Sequence, residues 1–430
     1  MKNYTKLTNL EIDEIYKKEK ETYDNYCKMN LKLDISRGKP NMEQLDISSS
    51  LLSMPLTKGD YYQNGIDFRN YGILDGVPAC KKLFSDILKI PEDYIFVGGN
   101  SSLNLMYDLL SRAMLFGLKN SPKPWCKEEG LKWICITPGY DRHFKITETL
   151  GFELISVKMN EDGPDMDEVE KLVLDPKVKG IWCVPKYSNP TGNTYSDEVV
   201  KRLAKMECAA PDFCIMWDNA YAIHDFNDYE KELFDIFTMA KSYDTEDRVY
   251  YFASTSKITF PGAGVAIMAT SPSNLKYHLP YISVSTIGYD KLNQLRHIKF
   301  LKDAEFTHYQ MKNLARIIKP KFEITINALN KLNGLGIAEW SKPSGGYFIS
   351  LDILVGSAKR VYELMKKAGV TLTNVGATYP YGIDPEDKNL RLAPSYPNNN
   401  ELALACEILV CVVKLSALEY LKNNNQNKND

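Results

Sequence analysis

The sequence predicts an α/β protein: a mostly parallel, seven-stranded sheet sandwiched by helices, with a smaller α+β domain beside it. Short β-rich runs recur at 94–97, 132–137, 152–158, 180–184, 213–217, 248–253 and 264–269, with helical patterns between several of them. Runs as apolar as Gly180-Ile-Trp-Cys-Val184 do not alternate, which is the pattern of strands covered on both faces. The chain's 430 residues also exceed what one core can organise, so two domains are expected. In such sheets ligands bind beyond the carboxyl ends of the strands.

Taken in order, Thr8-Asn-Leu-Glu11 fits a capping box and opens a charged helix running to about Asn30. An extended segment ends in the turn Arg37-Gly-Lys-Pro40, and a glycine-rich aromatic stretch holds Tyr71-Gly-Ile-Leu-Asp-Gly76 before a helix at 79–89. The first strand leads through Gly98-Gly-Asn-Ser-Ser102 into an apolar-periodic helix ending near Leu115, and Ser196 caps a helix at 197–209. A long helix is expected from about Asp290 to just before Pro320, because a proline biases the residue ahead of it out of helix. A strand at 346–352 and several helices complete the smaller domain. The resulting division is an N-terminal arm with part of the small domain at 1–50, a large domain at 51–290, a linking helix and small C-terminal domain at 291–421, and a disordered tail at 422–430.

Composition excludes several classes of function. A formal charge of −2 leaves no basic footprint for nucleic acid or anionic membrane. Nine scattered cysteines without Cys-x-x-Cys argue against zinc and disulfides, hence for a reducing, cytoplasmic setting. Residues 1–30 lack an apolar core, so no signal peptide is expected. Glu407 and Lys414 interrupt the apolar segment 402–421, which reads as an amphipathic helix rather than a membrane span.

Four strand ends carry residues suited to chemistry. Gly98-Gly-Asn-Ser-Ser102 places free backbone N–H groups at a helix start, an anion site fit for phosphate. Pro185-Lys-Tyr-Ser-Asn-Pro-Thr-Gly192 turns sharply and sets the Asn189 amide at the ligand edge. Asp218 ends the apolar run Cys214-Ile-Met-Trp-Asp218, where its charge calls for a cationic partner. Lys257, in Ser254-Thr-Ser-Lys-Ile-Thr259, leaves the sheet ahead of a Pro-Gly turn, and an amine desolvated there can attack a carbonyl. Each stretch alone also reads as a glycine turn, a helix cap or a solvated lysine; their value lies in occurring together and in order.

The set resembles the class I aminotransferases, fold-type I enzymes that depend on pyridoxal 5'-phosphate (PLP), across roughly residues 34–395. Ser36-Arg-Gly-Lys-Pro40, Gly98-Gly-Asn-Ser-Ser-Leu103, Ser254-Thr-Ser-Lys-Ile-Thr259 and Lys342-Pro-Ser-Gly-Gly-Tyr-Phe348 are similar to a bacterial-type aspartate aminotransferase branch. The resemblance makes 51–290 the PLP-binding domain and Lys257 the residue that bonds the cofactor aldehyde and moves the substrate proton. It sets Asp218 against the pyridine nitrogen, keeping the ring an electron sink, with Asn189 and Tyr221 on the phenolate oxygen. Tyr140 would stack on the ring. Asn100, Ser101, Ser102 and Ser254 would take the phosphate, joined by Tyr71 from a neighbouring subunit, which implies a homodimer. Arg391 would grip the substrate α-carboxylate with its two-pronged fork, and Gly38 would add a backbone contact. Arg37 and Arg142 are candidates for a distal carboxylate.

One departure stands out. The family's phosphate-binding arginine, eight residues past the lysine, is absent from Lys257-Ile-Thr-Phe-Pro-Gly-Ala-Gly-Val265. The implied reaction is transfer of an amino group from an L-amino acid, aspartate preferred, to 2-oxoglutarate in ping-pong order. The alternatives are an alanine or aromatic aminotransferase, or a lyase on the same fold. A cofactor-binding transcription regulator would carry a DNA-binding module in front, which is not expected of the roughly fifty non-basic residues ahead of the large domain, and no Gly-x-Gly-x-x-Gly follows the first strand as a dinucleotide dehydrogenase would need.

Overall fold

Apolar residues of the central strands alternate between two cores. Ile134, Ile136, Ile181 and Ile215 face one, with Val199, Val200 and Leu203 of a covering helix. Trp133, Cys135, Trp182 and Met216 face the other, with Leu105, Leu109 and Leu110. A period-two side-chain pattern with both faces buried gives continuous apolar runs, as read from the sequence. The computed structural model describes residues 2–228, 230 and 232–426.

Spatial order across the sheet is Ile95–Val97, Ala266–Ala269, Val249–Ser254, Cys214–Asp218, Val178–Cys183, Lys132–Thr137, Glu153–Asn160 and Gly163–Pro164. Pairing is parallel from Val249–Ser254 through Glu153–Asn160, and Ala266–Ala269 runs antiparallel to both its neighbours. The sheet therefore has eight strands rather than seven. The extra one, Gly163–Pro164, is two residues long and returns antiparallel on the edge, where a proline sacrifices no ladder bond.

A second core gathers the N-terminal helix, residues from 318 to 372, and the C-terminal helix. Its three-stranded antiparallel sheet runs Ala338–Trp340, Ile349–Ile353, Asn389–Leu392, and Leu33–Asp34 pairs in parallel with Val370–Thr371. The capping box is present: Thr8 caps Asn9–Lys28 and exchanges hydrogen bonds with Glu11. This helix lies along Asn399–Gln426, where Lys414 Nζ sits 3.2 Å from Glu19 Oε1 and Lys422 Nζ 2.6 Å from Asp13 Oδ1.

Two helix expectations need correction. The span from 290 divides at Lys302, whose φ of +60° separates Lys291–Leu301 from Ala304–Leu329. Pro320 then lies inside the second helix and Lys319 stays helical. Burial of Ile318, Phe322 and Leu329 in the second core offsets the one hydrogen bond the proline forgoes. At the C-terminus residues 422–426 continue the helix instead of starting a disordered tail, and 427–430 lie outside the described residues. Among the described residues no helix is long and apolar enough to cross a membrane.

Candidate active site

Ile95–Val97, Lys132–Thr137, Val178–Cys183, Cys214–Asp218 and Val249–Ser254 all point the same way, so the segments that follow them share one edge of the sheet. That edge brings together Ser101, Tyr140, Asn189, Asp218, Tyr221 and Lys257, as the alternation of elements predicts.

Asp218 is the last strand residue and only 4 % exposed. Its Oδ2 lies 3.0 Å from His143 Nε2. An ionised carboxylate can only accept, so the imidazole N–H is the donor. Oδ1 has no hydrogen-bond partner among the described residues. Leaving a buried carboxylate oxygen bare is costly, so this edge is built to receive a cationic or N–H-bearing group.

Lys257 stands in the turn after Val249–Ser254, which is closed by bonds from the Ile258 and Thr259 amides to the Thr255 carbonyl at 2.9 and 2.8 Å. Its Nζ lies 5.0 Å from the Tyr221 ring centre and 5.7 Å from that of Tyr347. Burial pushes the Lys257 amine below its ordinary 10.5, and the nearby Asp218 charge opposes part of that shift. The result is an amine closer to its neutral, nucleophilic form.

Tyr140 immediately precedes the helix Asp141–Thr149, and its ring meets His143 edge to face at 4.9 Å. Burial, then the charges of Asp141 and Asp218, push its phenol up to about 12, so it stays protonated. Tyr221 is likewise raised, by burial and then by Tyr140 and Asp218.

The guanidinium of Arg391, on the strand Asn389–Leu392, reaches this cluster from the second sheet. Its Nη1 lies 2.8 Å from Asp141 Oδ1 and 3.4 Å from Asn189 Oδ1, and its Cζ 5.2 Å from the centre of the Phe348 ring. Gly38 is pressed against that same ring: a Cβ there would fall 2.3 Å from Phe348 Cζ, so no larger residue fits.

The anion cradle is the start of the helix Ser102–Phe116, preceded by Ser101, whose side chain makes no capping bond. Ser254 Oγ lies 3.0 Å from Ser256 Oγ. A Cβ on Gly264 would come within 3.1 Å of Thr255 Oγ1 and 3.4 Å of the Asn100 carbonyl, so the Ser254 turn and the Asn100 loop close on each other. Val265, where the family's arginine was sought, is 2 % exposed; its carbonyl accepts from the Thr255 N–H and its own N–H donates to Thr255 Oγ1, each at 2.9 Å.

Arg37 and Arg142 are exposed, and Tyr71 is 84 % exposed. His143 was missed by sequence reasoning. Its signal was position: three residues past Tyr140 on a helix start, it shares Tyr140's face. The ring is 1 % exposed and stacks on Trp182 at 4.3 Å with planes 10° apart. Asp141, Tyr347 and His224 were also missed. Among the described residues no cluster suits a metal ion.

A sequence profile of the family described as aspartate amino-transferase matches residues 7–425. The chain is 48 % identical over 406 residues to an aspartate aminotransferase of Corynebacterium glutamicum, covering 94 % of each. It superposes with a TM-score of 0.95 on the crystal structure of an aspartate transaminase from the same organism, at 46 % identity, covering 97 % of this chain and 99 % of that one. The α-aminoadipate aminotransferase LysN of Thermus thermophilus, complexed with N-(5'-phosphopyridoxyl)-L-leucine, shares the fold at 20 % identity and a TM-score of 0.73, covering 90 % and 93 %. The lysine facing an acid at the strand ends, the arginine across the cleft and the match over nearly the whole chain agree: the protein belongs to the aspartate aminotransferase family of fold-type I aminotransferases.

Proposed function

We propose that this aminotransferase uses pyridoxal 5'-phosphate to move an amino group from L-aspartate to 2-oxoglutarate, in two half-reactions that share one site. The observation that carries the reading is the bare Oδ1 of buried Asp218, on the edge that also holds a lysine with a depressed pKa. A protonated pyridine nitrogen fits that acceptor. The helix start at Ser101 and Ser102, with Asn100 and Ser254, fits the phosphate. When bound, the cofactor supplies an aldehyde for the amino group and a ring that withdraws electrons from the substrate α-carbon.

The chain's own residues do the rest. Lys257, with its amine partly neutral, holds the cofactor and carries the proton to and from the substrate α-carbon. Asp218 would stand opposite the ring nitrogen, steadied by the His143 N–H. Asn189 and Tyr221 would hydrogen-bond the ring oxygen, Tyr140 would cover the ring, and Arg391 with Gly38 would fix the α-carboxylate. A distal carboxylate would be met by Arg37 or Arg142, both of them exposed. The exposure of Tyr71 suits a side chain that serves a second subunit of a homodimer. The setting proposed is cytoplasmic.

Borohydride reduction of the PLP-treated protein should mark Lys257, and a mark on another lysine would overturn the assignment. A half-reaction screen of the twenty amino acids then tests the donor. Aspartate should react fastest; preference for alanine or an aromatic residue, or release of ammonia, would replace the donor or the reaction type. Arg391→Ala should weaken amino-acid binding by about 2–5 kcal/mol.

A further inference from the structure

The Arg391 guanidinium already holds a carboxylate. Asp141 Oδ1 lies 2.8 Å from its Nη1, with side chains 33 % and 9 % exposed respectively. Asp141 opens the helix Asp141–Thr149 at the carboxyl edge of the central sheet, whereas Arg391 lies on the second sheet. The pair therefore ties the edge of the central sheet to the second sheet. The other polar contacts of the guanidinium are longer: 3.4 Å from Nη1 to Asn189 Oδ1 and 3.5 Å from Nε to Thr373 Oγ1.

Three features make Asp141 a displaceable partner. A nearly buried guanidinium without an anion is costly, so some carboxylate must sit there when no substrate does. Asp141 is one-third exposed, so it can be solvated again on leaving. As the first residue of its helix it also lies where the N-terminal partial charge favours an anion. The substrate's α-carboxylate needs the same N–H.

Building on the assignment of Arg391 as the residue that takes the substrate carboxylate, we propose that Asp141 is a specificity-determining placeholder. It occupies Nη1 of Arg391 in the free enzyme and surrenders it to the α-carboxylate. A lone small anion gains little, because it must first displace an internal carboxylate. An amino or oxo acid displaces it with the help of its other contacts.

The test is calorimetric titration of unreactive succinate into cofactor-loaded wild type, Asp141→Asn, Asp141→Ser and Arg391→Ala. Loss of the competing charge-assisted hydrogen bond should tighten succinate by about tenfold in both Asp141 variants. Neutral succinamide should bind all forms alike. In turnover the gain should appear in KM rather than kcat. Unchanged or weaker succinate binding in both Asp141 variants overturns the placeholder role and leaves Asp141 as an orienting partner of Arg391. If instead Arg391→Ala binds succinate as wild type does, the carboxylate site itself is misassigned, a different failure from the first.

Discussion

His143 Nε2 lies 3.0 Å from Asp218 Oδ2, and the same imidazole is stacked on Trp182, so the ring is fixed in plane as well as in distance. The carboxylate that awaits a cation on its other oxygen is thereby held by a donor that cannot rotate away. Orientation of this kind is what a site acquires when a supporting residue is itself locked by packing.

Replacing His143 by Phe should keep the stack on Trp182 and remove the donor. Asp218 then has neither oxygen hydrogen-bonded, which costs about 1–3 kcal/mol. We expect weaker PLP binding and a lower thermal midpoint of the cofactor-free protein. Equilibrium dialysis with PLP, and calorimetry without it, measure the two effects separately. Unaltered affinity would show that His143 only fills space.

Lys257 permits a prediction with a definite sign. Its folded pKa lies below the ordinary 10.5. Between those two values the unfolded chain holds a proton that the folded amine has released, so stability rises with pH across that window. Below the folded pKa both states are protonated, and the full cost of burying the ammonium is present. Lys257→Met removes the cost. In cofactor-free protein the variant should therefore be more stable than wild type, by a margin that shrinks as pH climbs towards 10.5. Thermal unfolding between pH 7 and 10.5 reads this, and a margin independent of pH would mean that the amine is solvated.

Much of this arrangement was legible because it is local. Asp218 ends an apolar run and Lys257 begins the turn after one, so strand ends alone place both at one edge. Asp141 was not legible, since its partner lies 250 residues away and pairs with it only through the meeting of two sheets. His143 needed the helix start at Asp141, a boundary that periodicity leaves uncertain by a residue or two. Pro320 misled because a local rule was outweighed by burial of the residues around it. Gly163–Pro164 is too short to carry a period at all.

His224 supplies the acid limb. It is buried between Tyr221 and Tyr347, with ring centres 5.6 and 5.9 Å away. Burial, reinforced by the Lys257 charge, brings its pKa down to about 3 from 6.5. Between those values the unfolded state takes a proton that the native state refuses, so stability falls as pH drops through the window. His224→Phe preserves an aromatic of similar size and removes the effect. It should flatten the loss between pH 6.5 and 3 by on the order of 5 kcal/mol. The slope should not vanish, because His278 is likewise lowered to about 3 by burial. An acid limb identical to wild type would show that water reaches the ring.

At the opposite edge of the central sheet, Lys179 and Asp212 test the frame without touching the site. The Lys179 Nζ lies 2.9 Å from Asp212 Oδ1 and 3.0 Å from Glu128 Oε2, and the lysine and Asp212 side chains are 3 % and 0 % exposed. Asp212 Oδ2 also accepts from Trp125 Nε1 and Ser121 Oγ, each at 2.7 Å. Lys179→Met leaves that aspartate charged, buried and short of its cation, a loss of about 3–5 kcal/mol. Adding Asp212→Asn removes the stranded charge while its amide oxygen still accepts from Trp125, so the double variant should recover more than half of the loss. Denaturant midpoints of the two single variants and the double variant give the coupling directly. Because Lys179 lies near the start of its strand and the site beyond the end, PLP affinity should be unchanged in whatever fraction stays folded. If the double variant were as unstable as Lys179→Met, packing of the lysine stem rather than its charge would be what holds that edge together.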